Sequence, residues 1–308
     1  MQDKIDEIIF EIPVIKHIAK LCTKIKLFKL EGLSLYDLFK MYFFGIIKGT
    51  FSTRASSIAF SFFMAIFPFL LFILNLIPFI SFIENLENEV LLFLEDLIPG
   101  KAAPFFTEIF LDISRNPRAG LLSFVFILSI FLMSNGVNSI FTSFEFSYHT
   151  KLNRSILRQY IIAVGIALIL AILVLISVIV TIYFAIIIEQ LKAMDVVEDS
   201  LFWVKLSRYC ILVLVLFIAI SILYFFGTRE ARKSKFLSVG SVFTTFLILL
   251  TTYLFSLYVD NFGNYNKLYG SIGALLILMI YIWLNSNIFL LGFELNASIY
   301  RLKNTTND

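Results

Sequence analysis

Residues 160–188 read YIIAVGIALILAILVLISVIVTIYFAIII and contain no charged side chain. A helix needs about 20 mostly apolar residues to cross the hydrocarbon core of a bilayer, and this run exceeds that length. In lipid, each backbone polar group has to pair within its own segment, so the run is a helix and not a strand. Working outward along the chain, five further stretches meet the same length criterion: 56–83, 119–141, 206–226, 236–259 and 270–297. The expected fold class is all-α, a polytopic membrane protein with six transmembrane helices and additional interfacial amphipathic helices.

Composition agrees. Of 308 residues, 59% are hydrophobic and 15% charged, against about 25% charged in a soluble domain. So much apolar surface cannot be buried in a soluble core, and lipid has to be part of the solvent. The two cysteines, Cys22 and Cys210, fall near opposite membrane faces on this topology and cannot bridge. The start, Met1-Gln2-Asp3-Lys4-Ile5-Asp6-Glu7, is acidic, and no small-residue cleavage site follows an apolar core, so no cleavable signal peptide is expected.

The connections set the orientation. Lys4, Lys16, Lys20, Lys24, Lys26, Lys29, Lys40, Lys48 and Arg54 precede the first span. Segment 84–117 has Lys101 and Arg115 against seven acidic residues. Loop 142–159 is basic again, 189–203 has only Lys192, 227–235 carries Arg229, Arg232, Lys233 and Lys235, and 260–269 has only Lys267. Basic connections face the cytoplasm, which puts both ends inside and 84–117, 189–203 and 260–269 outside. Lys205 and Arg208, at the outer start of the fourth span, break the pattern and are expected to snorkel to the interface. The chain divides into a cytoplasmic amphipathic segment (1–54), a six-helix transmembrane domain (55–299) and a cytoplasmic tail (300–308).

Three further helices are amphipathic and do not span. Residues 33–52 set Leu35, Leu38, Phe39, Tyr42, Phe43 and Ile46 on one face, which suits the cytoplasmic membrane surface. Outside, Leu86, Val90, Leu94 and Leu97 form a stripe opposite Glu87, Glu89 and Glu95, ended by Pro99-Gly100. A second outer helix starts near Pro104. These outer helices are read as caps on the bundle; a lid over an outward cavity is the sharper alternative.

No catalytic constellation is visible. The only histidines are His17 and His149, too few for a histidine-rich metal site. There is no phosphate-binding G-x-x-x-x-G-K-[ST] and no G-x-S-x-G elbow. No catalytic residue, cofactor, metal or nucleic-acid partner is expected, and the chain is read as a non-enzyme.

Polar residues inside the spans are more informative, because they cost free energy and usually face other helices or a cavity. Asn135 and Asn138 lie in the second span; Asn285, Asn287, Glu294 and Asn296 lie in the sixth. At about 100° per residue, Asn287 and Glu294 share one face and Asn285, Gly292 and Asn296 the opposite one. A helix polar on two faces is expected to be central in the bundle. Asn287 and Glu294 would line a polar path, with Asn135 and Asn138 as its opposite wall; interhelical hydrogen bonding is the plainer role. Glu294 would pair with a basic residue of loop 227–235 or line a polar cavity. Pro68, mid-span, removes a backbone hydrogen bond and is a candidate hinge, or only a packing kink. The loop joining spans five and six is dense in turn formers. There Asp260, Asn261, Gly263, Tyr265 and Tyr269 form a candidate outer site for a lipid headgroup; a tight turn is the alternative.

Three stretches resemble one known family. Residues 54–68 (RASSIAFSFFMAIFP) resemble the first-span signature of the YihY/BrkB family. Residues 255–273 (FSLYVDNFGNYNKLYGSIG), continued by 290–297 (LLGFELNA), and 134–138 (SNGVN) also match it. The resemblance covers about residues 35–300. At 225–230 the sequence reads FFGTRE, without the proline usual after the fourth span, so the shape of that turn is not carried over. The resemblance implies a multi-pass protein of the bacterial inner membrane. It also implies links to serum resistance or envelope lipid export, and that the older name ribonuclease BN was a misassignment. The expected partners are membrane lipids and a lipid-like amphiphile that the protein binds or transports. A scaffold recruiting envelope machinery is the alternative, and a membrane-bound hydrolase a distant third.

Overall fold

A computed structural model describes residues 50–77, 80, 86–96, 107–108, 110–112, 122–145, 155–196, 199–227, 236–262 and 271–306. The described residues contain helices and no strand. In chain order the helices are α1 (Thr50–Leu76), α2 (Leu86–Glu95), α3 (Leu122–Glu145), α4 (Ile156–Ala193), α5 (Ser200–Gly227), α6 (Val239–Phe262) and α7 (Ser271–Thr306). All but α2 are long and apolar enough to cross a membrane, which gives six spans.

The helices outrun the apolar runs that foretold them. The 38 residues of α4 extend about 57 Å at 1.5 Å per residue, and the 36 of α7 about 54 Å. Both are far longer than the roughly 30 Å of hydrocarbon. Helical backbone bonding does not stop at the lipid boundary, so these helices continue into the aqueous layers. α1 begins at Thr50 and already contains Arg54, which the sequence reading placed before the span. α1 also runs unbroken through Pro68. The proline has no N–H to give the Met64 carbonyl, one turn earlier, yet the helix continues.

The six spans form a ring in chain order. α1 packs on α3, α3 on α4, α4 on α5, α5 on α6 and α6 on α7, and α7 closes the ring against α1. This revises the expectation of a central sixth span. α7 is half buried, more than any other span, but its two polar faces serve two neighbours and not a bundle axis.

Apolar side chains fill the ring. Phe144 stacks on Phe293 at 3.8 Å between centroids and lies 5.5 Å from Phe289 and 5.8 Å from Tyr224, joining α3, α5 and α7 at one end. At the other end, α2 buries Leu86, Val90, Leu91, Phe93 and Leu94 and packs on α4. Three members of the expected apolar stripe, Leu86, Val90 and Leu94, are thus in the core. Segment 33–49 and Pro104 lie outside the described residues.

Candidate functional site

The polar contacts between spans gather at the end of the ring that carries Arg54. On one face of α7, Glu294 accepts from the Arg54 guanidinium of α1 at 3.4 Å. Arg54 also donates to the Ser143 carbonyl of α3 at 3.1 Å and lies over the Phe51 ring, 4.9 Å from its centroid. The side chains of Arg54 and Glu294 are only 12% and 8% exposed. Little water reaches the pair, so the two charges meet in a largely desolvated setting. The Arg54 partner lies 240 positions away in the chain, and the basic residues expected to pair with Glu294 fall in a loop of which only Gly227 is described. Residues 228–235 lie outside the described set. Asn287, two turns earlier on the same face, is buried and donates to its own helix at the Trp283 carbonyl, 2.8 Å.

The opposite face of α7 meets α6 and α5. Tyr224 donates to the Phe289 carbonyl at 2.6 Å and shares a hydrogen bond of 2.7 Å with Thr244. A Cβ on Gly292 would lie 1.7 Å from the Thr244 hydroxyl oxygen, and one on Gly240 would lie 2.3 Å from the Gly292 carbonyl oxygen. The two backbones meet where only glycine fits, the small-residue packing that lets membrane helices approach. Asn296 then completes the N-terminus of α6. Its Oδ1 accepts from Gly240 N–H at 2.8 Å and its Nδ2 donates to the Ser238 hydroxyl at 2.8 Å. Ser238 and Ser241 exchange backbone-to-hydroxyl bonds of 3.2 Å in a reciprocal cap. Asn285 donates to the Tyr281 carbonyl at 3.0 Å, and Tyr281 shares a 2.7 Å bond with Thr252 of α6.

Asn135 and Asn138 do not stand opposite Asn287. Their hydrogen bonds lead the other way round the ring, to α4. Tyr160 donates to Asn135 Oδ1 at 3.3 Å and to the Phe131 carbonyl at 3.1 Å. The Gln159 amide is satisfied when its nitrogen donates to the Glu145 carboxylate at 2.8 Å. Its other end then lies 3.0 Å from the Asn138 amide and 3.1 Å from the Thr142 hydroxyl. The two asparagines sit on the side of α3 facing α4 and the exterior, and α7 meets α3 at the aromatic junction around Phe144.

The exterior of α3 carries a pattern that sequence reading missed. With Asn135 as reference, Phe124, Leu128, Phe131, Ser139 and Thr142 all fall within about 40° of it at 100° per residue. Phe124, Leu128, Phe131 and Asn135 are exposed, and Ser139 and Thr142 partly so. Ser139 lies on the α1 side, 3.4 Å from the exposed Ser57 hydroxyl. Asn135 lies toward α4 and Tyr160. The seam between α1, α3 and α4 is therefore polar at the Arg54 end and apolar beyond Asn135.

At the opposite end, Arg208 of α5 reaches Glu89 at 3.4 Å and Asp96 at 3.3 Å, tying α2 to the fourth span. Arg208 therefore has acidic partners from the capping helix, which accounts for its exception to the charge pattern. Burial raises the Asp96 carboxyl above its usual range, Arg208 opposes this and Glu95 adds to it. Of the candidate outer loop, Asp260 and Asn261 belong to the last turn of α6. Gly263, Tyr265 and Tyr269 lie outside the described residues. Among the described residues no three His, Cys, Asp or Glu side chains are grouped to hold a metal.

A ring of six lipid-spanning helices, locked at one end by interhelical polar contacts and capped at the other by an amphipathic helix, defines a polytopic α-helical membrane protein. The family model described as virulence factor BrkB matches residues 46–308, and the chain belongs to that family. It is 30% identical over 254 residues, 82% of this chain and 90% of the relative, to the ribonuclease-like protein YfkH of Bacillus subtilis. Shorter similarities reach the UPF0761 membrane proteins of Psychrobacter sp. (29% over 98 residues, 32% of this chain and 18% of the relative) and Pseudoalteromonas translucida (36% over 73 residues, 24% of each). No solved structure matches the chain.

Proposed function

We propose that the chain is a non-enzymatic protein of the bacterial cytoplasmic membrane that binds a lipid-like amphiphile along the α1–α3–α4 seam and supports its movement. One observation carries this reading: the lipid-facing surface of α3 is itself amphiphilic along the membrane normal. Polar side chains usually face the bundle interior, yet Asn135 is exposed and Phe131, Leu128 and Phe124 continue the same stripe. A headgroup would take the polar part and an acyl chain the apolar part. Lys/Arg asymmetry supports a cytoplasmic Arg54 end. On that placement a Cys introduced at Ser234 reacts only after permeabilisation; labelling of intact cells by an impermeant reagent overturns it.

The seam is tested by a photoactivatable side chain at Leu128, with Ile176 of α4, also exposed, as a lipid-facing control. Selective capture of lipid at position 128 supports the reading. Equal, non-selective capture at both positions removes it. The scaffold reading has its own support, since the Arg54 end is closed by internally paired groups (Arg54–Glu294, Tyr224–Thr244, Asn296–Gly240). It gains if the photoprobe captures protein in place of lipid.

A further inference from the structure

We infer that a cleft between α5 and α6, open toward the end of the ring opposite Arg54, takes an anionic phospholipid. Its phosphate lies at Lys205 and its acyl chains between the two helices. The cleft is across the ring from the α1–α3–α4 seam and independent of it. Only the assignment to the outer leaflet rests on the orientation proposed above.

Among the described residues, buried apolar side chains form two cores. The larger joins α3, α4 and α5 to the parts of α6 and α7 nearest the Arg54 end, including Leu247 and Phe289. The smaller holds Ala59 of α1, Phe255 and Val259 of α6, and Ile277, Leu278 and Ile282 of α7, with no residue of α4 or α5. On the way outward, α6 and α7 thus leave the larger core and pack on α1. Phe62 stands where the cores part. It lies on α1 between Ile58, of the larger core, and Ala59, of the smaller. Both neighbours are buried, yet Phe62 is 48% exposed.

The walls of the cleft are faces that are covered nearer the Arg54 end, which sets them apart from the lipid-facing side of a span. On α5, Leu206, Tyr209 and Val213 fall within about 60° of Tyr224 at 100° per residue. Tyr224 is buried against Thr244, and no residue from Val215 to Gly227 is exposed, whereas those three are. On α6, Leu254 and Tyr258 fall within about 20° of Leu247. Leu247 packs on the larger core, and the other two are exposed. The walls converge on the 2.7 Å bond between Tyr224 and Thr244. Tyr209 stands about 22 Å outward of Tyr224 along α5, and Tyr258 about 21 Å outward of Thr244 along α6. The two tyrosines therefore flank the mouth at one height. Tyr258 adjoins Val259, where the apolar window of α6 ends, a level that suits tyrosine at the headgroup layer.

Lys205 supplies the charge. It is exposed, one turn beyond Tyr209 and about 40° round from it. Side chains lean toward a helix N-terminus, which for α5 is the outward end, so the ammonium reaches toward the headgroups. Its neighbours are committed elsewhere. Arg208 pairs with Glu89 and Asp96, and Asp199 accepts from the Phe202 N–H at 3.0 Å. A cation on the side of the membrane that is otherwise poor in them has a lipid phosphate as its complement. From Lys205 to Leu214, the last exposed residue of α5, is about 14 Å, close to the 15 Å of one leaflet. The cleft therefore fits chains as well as phosphate, and the ligand is a phospholipid rather than a free anion.

The test uses the full chain in phosphatidylcholine nanodiscs. Trp203→Phe and Trp283→Phe remove the native fluorophores, and Val213→Trp places one in the cleft; Ile176→Trp, on the exposed face of α4, is the control. Phosphatidylglycerol or phosphatidylcholine brominated on its chains is added, and quenching is read. One lysine near the surface corresponds to a preference of about fivefold. Phosphatidylglycerol is thus expected to quench position 213 at about fivefold lower mole fraction than phosphatidylcholine, and position 176 equally with it. Lys205→Ala should bring the two positions level. Equal quenching by both lipids at 213, or a preference that survives Lys205→Ala, overturns the site. The cleft has a separate check in Val213→Cys/Leu254→Cys, with Cys22 and Cys210 replaced by Ser and the size-exclusion profile unchanged. A disulfide needs Cα atoms within about 7 Å, so oxidation should leave the pair unbridged while a longer bismaleimide joins it. Ready disulfide formation means that α5 and α6 do not part, and overturns the cleft. None of these readouts depends on which way the chain is inserted or on the seam, which labelling at Ser234 and photocapture at Leu128 test.

Discussion

The two faces of the sixth span are held by opposite means. Toward α6, contact depends on what is missing: Gly240 and Gly292 have no side chain, and Thr244 and Tyr224 occupy the space. Toward α1, contact depends on what is present: two charges, both almost buried. The first face has no tolerance for an added atom, and the second has none for a lost charge. The same helix thus closes the ring with one joint specified by shape and one by electrostatics. Only the second can be opened without breaking the packing.

The largest expected effect tests the shape-specified joint. Gly292→Leu would drive carbon into the Thr244 hydroxyl and the Tyr224 ring, whose oxygen lies 2.6 Å from a Cβ at that position. Overpacking a tight contact costs about 1–3 kcal/mol, occasionally more. Here a backbone crossing has to separate, so no monodisperse folded protein is expected by size exclusion. Gly292→Ala should lower the unfolding temperature measurably. Wild-type behaviour of Gly292→Leu would mean that α6 and α7 do not meet as closely as described.

Next comes the charge-specified joint. Removing one partner of a buried pair costs about 3–5 kcal/mol, because the remaining charge loses a desolvated counter-charge. Glu294→Ala is therefore expected to lower thermal stability strongly and to impair complementation of an envelope-sensitivity phenotype more than the outer control Glu108→Ala. Glu294→Gln, which keeps an acceptor for Arg54, should be milder. The double variant Arg54→Met/Glu294→Met removes both charges and should recover much of the loss. If it is no better than Glu294→Ala, the pair is not the joint, and the contrast between the two faces weakens.

What the sequence shows of this joint is instructive. The two-faced character of α7 was legible, since helical spacing alone separates Asn287 and Glu294 from Gly292 and Asn296. The partners were not, because periodicity reports which face a residue occupies and not which helix arrives there. Arg54 looked like a cytoplasmic loop residue because charge ends an apolar window, while the helix continues around a paired charge. Arg208 looked like a snorkelling exception for the same reason, its partners lying 119 residues away in the case of Glu89. Asn135 and Asn138 were recognised as intramembrane polar residues. Their assignment opposite the sixth span failed because chain order, rather than polarity, sets the neighbours in this ring. Ser238 could have been found as an N-cap before the apolar run, and the α3 stripe by extending the helical wheel through Phe131 and Leu128.

A smaller effect separates capping from packing on the α6 face. Asn296→Ala would leave the Gly240 N–H without its acceptor while keeping the backbone crossing. Loss of a cap costs about 0.5–2 kcal/mol, so the unfolding temperature should fall modestly and far less than for Gly292→Leu. Hydrogen exchange should rise in the first turn of α6 and not in α7. Exchange rising equally in both helices would make Asn296 part of the shape-specified joint.

The smallest effect concerns the other end of the ring, where Arg208, Glu89 and Asp96 form a wetter counterpart to Arg54–Glu294. Their side chains are 26%, 36% and 30% exposed, and ion pairs this accessible contribute about 0–1 kcal/mol. Burial holds the Asp96 carboxyl above its ordinary value of 3.8, against the pull of Arg208 and with help from Glu95. The folded protein therefore binds that proton more readily than the unfolded chain. The contribution of Asp96 to stability is fully present below the unfolded value and is lost as pH rises through the folded one. At neutral pH the carboxylate is a mild burden, and Asp96→Asn is expected to be as stable as the parent or slightly more so, by less than about 1 kcal/mol. The advantage should shrink as pH falls toward the ordinary carboxylate range, where the parent becomes protonated in both states. Thermal unfolding of the two proteins across that range provides the comparison. A clear loss of stability in Asp96→Asn at neutral pH would mean that attraction to Arg208 outweighs burial. The two ends of the ring would then be held by the same kind of buried ion pair, and the cap formed by α2 would be a second electrostatic joint.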